Sequence, residues 1–122
     1  MYSKALVQIL ELRGGVMSDY LVHLEGAGLF HDFEVGDIAV DYRNKYVVLQ
    51  LKSPSLPVLV YELKLFGVQC FQVGMEEPWG KGSYVVGTDI EQKGSVRSME
   101  MQLNSGDLVT AIFERAEFDG AK

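Results

Sequence analysis

The stretch GLFHDFEV, residues 28–35, holds the two side chains that first suggest chemistry, His31 and Asp32. A histidine beside a carboxylate can serve as an acid–base pair or supply ligands to a metal ion. Zinc and iron sites need three or four such ligands, and the only other histidine of the chain is His23. These side chains show no recognisable metal-ligand spacing, so the sequence predicts neither a metal nor another cofactor.

A structural corner is the interpretation that we favour for this stretch. Phe30 and Phe33 are expected to anchor the start of a sheet, while Asp32 caps a turn or fixes the imidazole of His31. The HD phosphohydrolases also carry a His-Asp doublet, but theirs lies on a helix of an all-α domain, whereas strands are predicted here. We therefore expect no catalytic residues and no enzymatic activity. A role in contacting a partner is the remaining alternative for His31 and Asp32.

Three further features could carry chemistry or binding. Cys70 is predicted to be a buried, inert thiol in the middle of a strand, because no activating base lies next to it in the sequence. The tetrapeptide GKGS, residues 80–83, lacks the earlier glycine and the strand–loop–helix context of a phosphate-binding loop. Trp79, the sole tryptophan, lies in a polar loop and is either an interaction element or a lid over the open end of the sheet.

Charge is distributed unevenly along the chain. The net charge is -6, and the segment from Met17 to Tyr42 accounts for nearly all of it, because it contains no lysine or arginine. Its acidic residues are Asp19, Glu25, Asp32, Glu34, Asp37 and Asp41. Such a segment is either a solvated face that aids solubility or a surface that attracts a basic partner over long range.

These features define the partner that we expect. An acidic chain does not favour nucleic acid, which is bound through clustered lysine and arginine. The predicted partner is a basic protein. The candidate partner-binding residues are Asp32, Glu34, Asp37, Asp41 and Trp79.

The N-terminal part of the sequence has helical periodicity. Residues from Lys4 to Leu12 are predicted to form a short helix that ends at two glycines, and a second helical segment is predicted from Ser18 to Leu29. An RGGV sequence precedes Met17, and the codons AGA-GGA-GGN would encode its first residues as a purine run that resembles a ribosome-binding site. We therefore hypothesise that translation begins at Met17, which would make residues 1–16 an extension.

Alternating patterns dominate the rest of the chain. EVGDIAVDY is predicted to be a half-buried strand with Ile38, Val40 and Tyr42 on its inner face, followed by a turn and the returning strand YVVLQLK. VLVYELKLF follows the loop SPSLP, and Gly67 then bends the chain into VQCFQV. YVVGTDI, SVRSMEMQL and a single closing strand LVTAIFERAEF complete the pattern.

The predicted fold class is α+β, mainly β. Short connections favour an antiparallel meander of about seven strands, forming a curved sheet or a sandwich with a short N-terminal helical segment. Residues 1–122 are expected to form a single domain with a β-rich core over residues 30–118. An open edge strand offers a route to a homodimer.

The sequence also predicts a cytoplasmic protein. No apolar run approaches the roughly 18 residues that span a bilayer, so no membrane association is expected. The opening residues are too short and too charged for a good signal peptide, and a single cysteine excludes an internal disulfide framework.

The chain resembles small β-rich bacterial proteins of unassigned function in the order of its motifs, which are FHDFEV, an alternating strand, VYELKLFGV, PWG and LNSGDLV. Some of these are similar to immunity proteins of polymorphic toxin systems, in which a His-Asp pair precedes a run of antiparallel strands. The resemblance covers Phe30 to Phe118 and carries no catalytic residues. It implies a non-enzymatic protein that binds and blocks one cognate toxin. Alternatives are a small-ligand-binding β domain, with Tyr61, Phe71 or Tyr84 lining a pocket, and a homo-oligomeric structural component.

Overall fold

A computed structural model of the chain describes residues 10–13 and 29–120, and these residues form nine strands in two sheets. The strands are β1 Leu10–Arg13, β2 Glu34–Asp41, β3 Tyr46–Lys52, β4 Val60–Phe66, β5 Cys70–Val73, β6 Val85–Lys93, β7 Val96–Leu103, β8 Leu108–Phe113 and β9 Arg115–Gly120. The first sheet has the order β1-β9-β4-β3-β2 and the second the order β5-β8-β7-β6. All pairs are antiparallel except β1 with β9. The prediction of a mainly β protein with antiparallel sheets is confirmed.

The described residues contain no helix, so the predicted helical lead-in is not seen where it can be checked. Leu10–Arg13, which overlaps the first predicted helix, is a strand that pairs with β9, and that part of the prediction is wrong. Leu10 and Leu12 fit a strand period as well as a helix period, so a short apolar run cannot distinguish the two. Leu29, the last residue of the second predicted helix, lies in a turn, and the rest of both segments is outside the described residues.

The predicted closing strand is also wrong in one respect, because it is two strands. The chain bends at Glu114, so that β8 belongs to one sheet and β9 to the other. Opposite this bend, Gly67 connects β4 to β5 with a φ of 64°, a conformation that glycine adopts readily. The Glu114 N–H donates to Phe66 O at 2.9 Å and the Gln69 N–H donates to Ile112 O at 2.7 Å. A two-stranded ribbon therefore turns the corner from one sheet to the other.

Both sheets bury apolar side chains in one core. The alternation predicted for β4 and β7 is confirmed, since Tyr61, Leu63 and Leu65 of β4 and Met99, Met101 and Leu103 of β7 are buried. The buried apolar residues are Leu29, Phe30, Phe33, Val47, Leu49, Leu51, Tyr61, Leu63, Leu65, Val85, Met99, Met101, Leu103, Val109, Ala111, Phe113, Ala116 and Phe118. Four aromatic rings form a cluster within this core, with centroids of Phe118 at 4.9 Å from Phe30 and 5.2 Å from Tyr61.

Strand β2 is the edge of its sheet, and its burial differs from the expectation. Ile38 is partly buried, but Val40 is 59% exposed and Tyr42 is 82% exposed. Their pairing register still places Ile38 and Val40 opposite the buried Leu49 and Val47 of β3. The register therefore puts Ile38 and Val40 on the predicted face, but the prediction that Val40 and Tyr42 are covered is wrong. In the described part of the chain no further strand lies beside β2.

Candidate protein-binding surface

The corner at residues 29–33 is held by backbone hydrogen bonds to the start of β6. The Asp32 N–H donates to Val85 O and the Val85 N–H donates to Phe33 O, both at 2.8 Å. A turn closed by the Phe33 N–H on Phe30 O, at 3.0 Å, sets Phe30 and Asp32 at φ values of 61° and 65°. These constraints bury the rings of Phe30 and Phe33 completely in the core. The chain thus enters β2 with its direction fixed by both sheets.

His31 and Asp32 are both committed to this corner through contacts. His31 Nδ1 lies 2.9 Å from Val86 O, so that nitrogen carries a hydrogen and donates it, because a carbonyl oxygen only accepts. His31 Nε2 lies 3.5 Å from Asp32 Oδ1, a contact that becomes an ion pair when the imidazole is protonated. Among residues 10–13 and 29–120, no three His, Cys, Asp or Glu side chains gather as a metal site would require. His23 lies outside the described residues.

The acidic candidates lie along β2 and differ in what they contact. Glu34 accepts a hydrogen bond from Ser83 Oγ at 3.0 Å, next to a β-bridge between Glu34 and Tyr84. Asp41 accepts hydrogen bonds from the Asn44 side chain at 2.8 Å and from the Asn44 N–H at 3.1 Å, which lowers the pKa of Asp41. Its carboxylate therefore serves the β2–β3 turn.

Asp32 and Asp37 are the candidates that face solvent most freely. The Asp32 side chain is 64% exposed, and Asp37 is exposed within a bulge of β2 opposite Gln50. The bulge inserts Gly36 and Asp37 where β3 has one residue. Bulges are common on edge strands, and this one leaves Ile38–Asp41 as the regularly paired part of β2 beyond it. The structure thus leaves these two carboxylates available for a partner.

Trp79 belongs to the loop between β5 and β6, near the Glu34 end of β2, and packs against the turn between β7 and β8. Its N–H donates to Ser105 O at 2.9 Å, and its indole packs over Gly106. The side chain is nevertheless 67% exposed. Its ring is therefore neither buried as a lid nor free in solution, but held on one face with the other open to solvent.

The loop of Trp79 is fixed by a carboxylate that the sequence did not single out. Asp107 is buried and accepts hydrogen bonds from Ser105 Oγ at 2.8 Å and from the N–H groups of Glu76 and Glu77 at 2.9 and 3.0 Å. Burial acts to raise the pKa of Asp107, but these hydrogen bonds outweigh it and hold the pKa below its ordinary value. These hydrogen bonds tie the loop of Trp79 to the β7–β8 turn and leave Glu77 exposed to solvent.

Two cavities beside β2 were also missed. The larger, of about 650 Å³, lies between the end of β2 and the start of β5 and is lined by Val40, Tyr42, Cys70 and Phe71 among others. The smaller, of about 270 Å³, is lined by residues that include Val35, Ile38, Val73 and Glu77. Cavities of this kind form between strands that are distant in sequence, so the local sequence pattern contains no signal for them.

Cys70 is exposed, so the prediction of a buried thiol is wrong. The sequence pattern correctly placed it in a strand, but that strand is the edge of the second sheet and only Phe71 and Val73 turn toward the core. The three aromatic residues proposed for a ligand pocket are not brought together. Tyr61 is buried in the aromatic cluster, Phe71 lines the larger cavity and Tyr84 is 48% exposed.

Comparison with known proteins gives no family for this chain: no family model matches it, and no curated protein matches it. In the described residues, no helix is long and apolar enough to cross a membrane. A functional assignment therefore depends on the geometry of the surface around β2.

Proposed function

We propose that this protein is a non-enzymatic binding protein of the cytoplasm, of the immunity type, that binds a basic protein partner through the acidic edge formed by β2 and its flanks. The observation that carries this proposal is the exposure of Asp32 and Asp37 on and beside an edge strand. Cationic side chains can approach both carboxylates from solvent, and Asp32 has only the 3.5 Å contact with His31 to exchange.

The fold extends this acidic edge beyond the residues that the sequence suggested. Glu77 lines the same cavity as Val35 and Ile38 of β2, and Glu76 beside it is exposed. Trp79 stands next to them with its outer face free. Aromatic anchors within a polar rim are common in protein-binding surfaces. This rim also holds two exposed cations, Lys81 beside Trp79 and Lys52 opposite Glu34. At the opposite end, the turn after β2 holds the exposed cations Arg43 and Lys45, and Lys45 Nζ lies 3.4 Å from the centre of the Tyr42 ring.

Electrostatic attraction of this kind acts mainly on the association rate. The test compares the double variant D32K/D37K with the double variant D89K/E91K, which reverses two exposed acids on β6 and changes the net charge equally. The partner to use is the purified product of the neighbouring gene, with association followed by stopped flow at several salt concentrations.

We expect the β2 variant to associate about tenfold more slowly and with a weaker salt dependence, whereas the β6 variant stays close to wild type. Binding that ignores both salt and the β2 substitutions would contradict the proposal. Equal loss in both double variants would show that net charge matters rather than this surface.

A homodimer through an edge strand is the second candidate, and β6 is the edge that favours it. Antiparallel pairing of two β6 strands centred on Glu91 would set Asp89 opposite Lys93, an attractive cross-strand charge pair, although it also sets Glu91 opposite itself. Light scattering tests this candidate. A dimer that D89K/E91K dissociates supports it, and a monomer at all concentrations removes it.

A further inference from the structure

The two cavities follow one another along the edge strands β2 and β5, and we call the space between these two strands the gap. At one end Val40 of β2 and Phe71 of β5 line the cavity of about 650 Å³. At the other end Ile38 of β2 and Val73 of β5 line the cavity of about 270 Å³. As the residue number falls along β2 it rises along β5, so the two strands run antiparallel on opposite sides of the gap.

Both strands present unpaired backbone to this gap. β2 pairs with β3 alone, and β5 pairs with β8 alone. The exception is a closure at the start of β2, where Glu34 forms a bridge with Tyr84 and the Val35 N–H donates to Ser83 O. Within the described residues, the outer edge of β2 beyond that closure makes no main-chain hydrogen bond. Every second residue of an edge strand directs its N–H and C=O outward, so a row of donors and acceptors is available.

We propose that this gap accepts one extended segment of a basic partner, which adds to the free edge of β2 as a further strand. The inference rests on the proposed function, since it names how the same acidic edge would hold its partner. Main-chain hydrogen bonds to β2 would fix the segment, and its side chains would alternate between the gap and the outer face of the sheet.

The charges of β2 argue for a basic partner rather than a second copy of this chain. Antiparallel pairing of two β2 strands centred on Ala39 would set Asp37 opposite Asp41, and like charges directly opposite each other are destabilising. A segment with lysine or arginine at those positions would meet both carboxylates favourably. The edge thus disfavours self-association and favours a cationic strand.

The two faces of the added strand are specified by β2 itself. Ile38 and Val40 pair with buried residues of β3, so side chains beside them would enter the gap and contact Phe71 and Val73. Asp41 follows Val40 along the strand, so it lies on the opposite face, at the rim of the larger cavity that Lys45 also lines. The cationic side chains of the partner would lie on that face. The recognised segment would therefore alternate apolar and basic residues.

The test uses defined peptides as probes. The first is a short peptide that alternates lysine and valine and is long enough to span β2. The second probe is a pair of peptides with the same sequence and N-methyl groups on alternate amides. One peptide is methylated on the odd-numbered residues and the other on the even-numbered residues. Methylation removes N–H donors and keeps the charge and the side chains. The third replaces lysine by glutamate.

We expect the first peptide to bind and one N-methylated peptide to bind at least about tenfold more weakly, because it loses several main-chain hydrogen bonds. The other N-methylated peptide keeps its donors toward β2 and should lose less. The glutamate peptide should not bind measurably. Binding of both N-methylated peptides as tightly as the parent would overturn strand addition.

Cys70 offers a local reporter that needs no substitution, because it is the sole cysteine and lines the larger cavity. The lysine–valine peptide should slow alkylation of Cys70, and prior attachment of a bulky maleimide should weaken peptide binding about tenfold or more. Peptide binding that leaves the alkylation rate unchanged would place the peptide elsewhere and overturn the proposal.

Hydrogen exchange separates this inference from the proposed function. The peptide should slow exchange of amides in β2 and leave those of β6, the edge of the second sheet away from the gap, unchanged. Protection in β6 instead would overturn strand addition. If D32K/D37K slows association of the protein partner but β2 amides gain no protection in that complex, the acidic surface stands and the added strand is wrong. If the double variant has no effect on the partner, the proposed function itself fails.

Discussion

Replacement of Gly106 by alanine is expected to displace Trp79 and destabilise the protein. Gly106 adopts a φ of 91° in the β7–β8 turn, and a Cβ there would lie 2.8 Å from Trp79 Cδ2 and 2.8 Å from Pro78 Cγ. Carbon atoms in contact prefer about 3.5–4.0 Å. Because both rings are rigid, one of them must move outward.

The expected cost has two parts. An alanine with positive φ costs about 1–2 kcal/mol. Trp79 is 67% exposed, so about a third of its surface is covered. An aromatic side chain buries about 150–250 Å² in full, so losing this contact costs about 1.2–2 kcal/mol at about 25 cal/mol per Å². G106A should therefore lower the free energy of unfolding by about 2–4 kcal/mol.

G94A is the matched control. Gly94 has a φ of 65°, and among the described residues nothing lies within 4 Å of the position of its Cβ. This substitution should cost the conformational part alone, about 1–2 kcal/mol. The comparison of the two variants isolates the contact with Pro78 and Trp79.

Two measurements decide the outcome. Urea unfolding gives the free energies, and the fluorescence of the sole tryptophan reports the position of Trp79 directly. In G106A the emission should shift to longer wavelength and acrylamide should quench it more strongly, whereas G94A should match wild type. Equal destabilisation of the two variants, with unchanged fluorescence in G106A, would refute the packing of Trp79 on this turn.

Three other predictions follow from the core, the loop and the first strand. F118A should lower the free energy of unfolding by about 3–5 kcal/mol, since Phe118 is fully buried against Phe30, Phe33 and Tyr61; V86A, at a 45% exposed position, is the control, and equal urea midpoints would contradict this packing. The ionised form of Asp107 stabilises the fold, because its folded pKa lies below 3.8; that contribution is complete above the unfolded pKa of about 3.9 and is lost as the pH falls through the lower folded value. D107N should therefore be less stable than wild type at neutral pH, with a difference that shrinks in acid, and a difference that stays constant in unfolding experiments across this range would disagree. A chain that begins at Met17 lacks β1 and its pairing with β9, so its urea midpoint should fall below that of the full chain, and the intact mass of the natively expressed protein shows which form is made.

The local patterns were most informative where one face of a strand is buried. Alternation in β4 and β7 correctly predicted which residues enter the core, because a strand directs successive side chains to opposite faces and a single buried face leaves its period in the sequence. The turn at residues 43–45 and the bend at Gly67 were predictable for a similar reason, since each depends on a few neighbouring residues.

The errors occur where the outcome depends on distant partners. Leu10–Arg13 is a strand because β9 lies beside it, and Cys70 is exposed because its strand is an edge. The break between β8 and β9 at Glu114 also depends on a distant segment. The bend at Gly67 opposite it carries β5 into the second sheet, where β5 pairs with β8. The hydrophobic periodicity of each segment fits both the predicted and the observed structure, so it cannot distinguish between them.

A mainly β chain, its alternating strands and the acidic excess before Tyr42 were predictable from residue order, because composition and period are properties of the chain alone. Which of the acids are free depends on how the strands pack. The tertiary structure binds Asp41 to a turn and Glu34 to Ser83, exposes Asp37 in a bulge, and sets two free edges across one gap. Strand order and pairing fix these outcomes, and they depend on contacts between residues far apart in the chain.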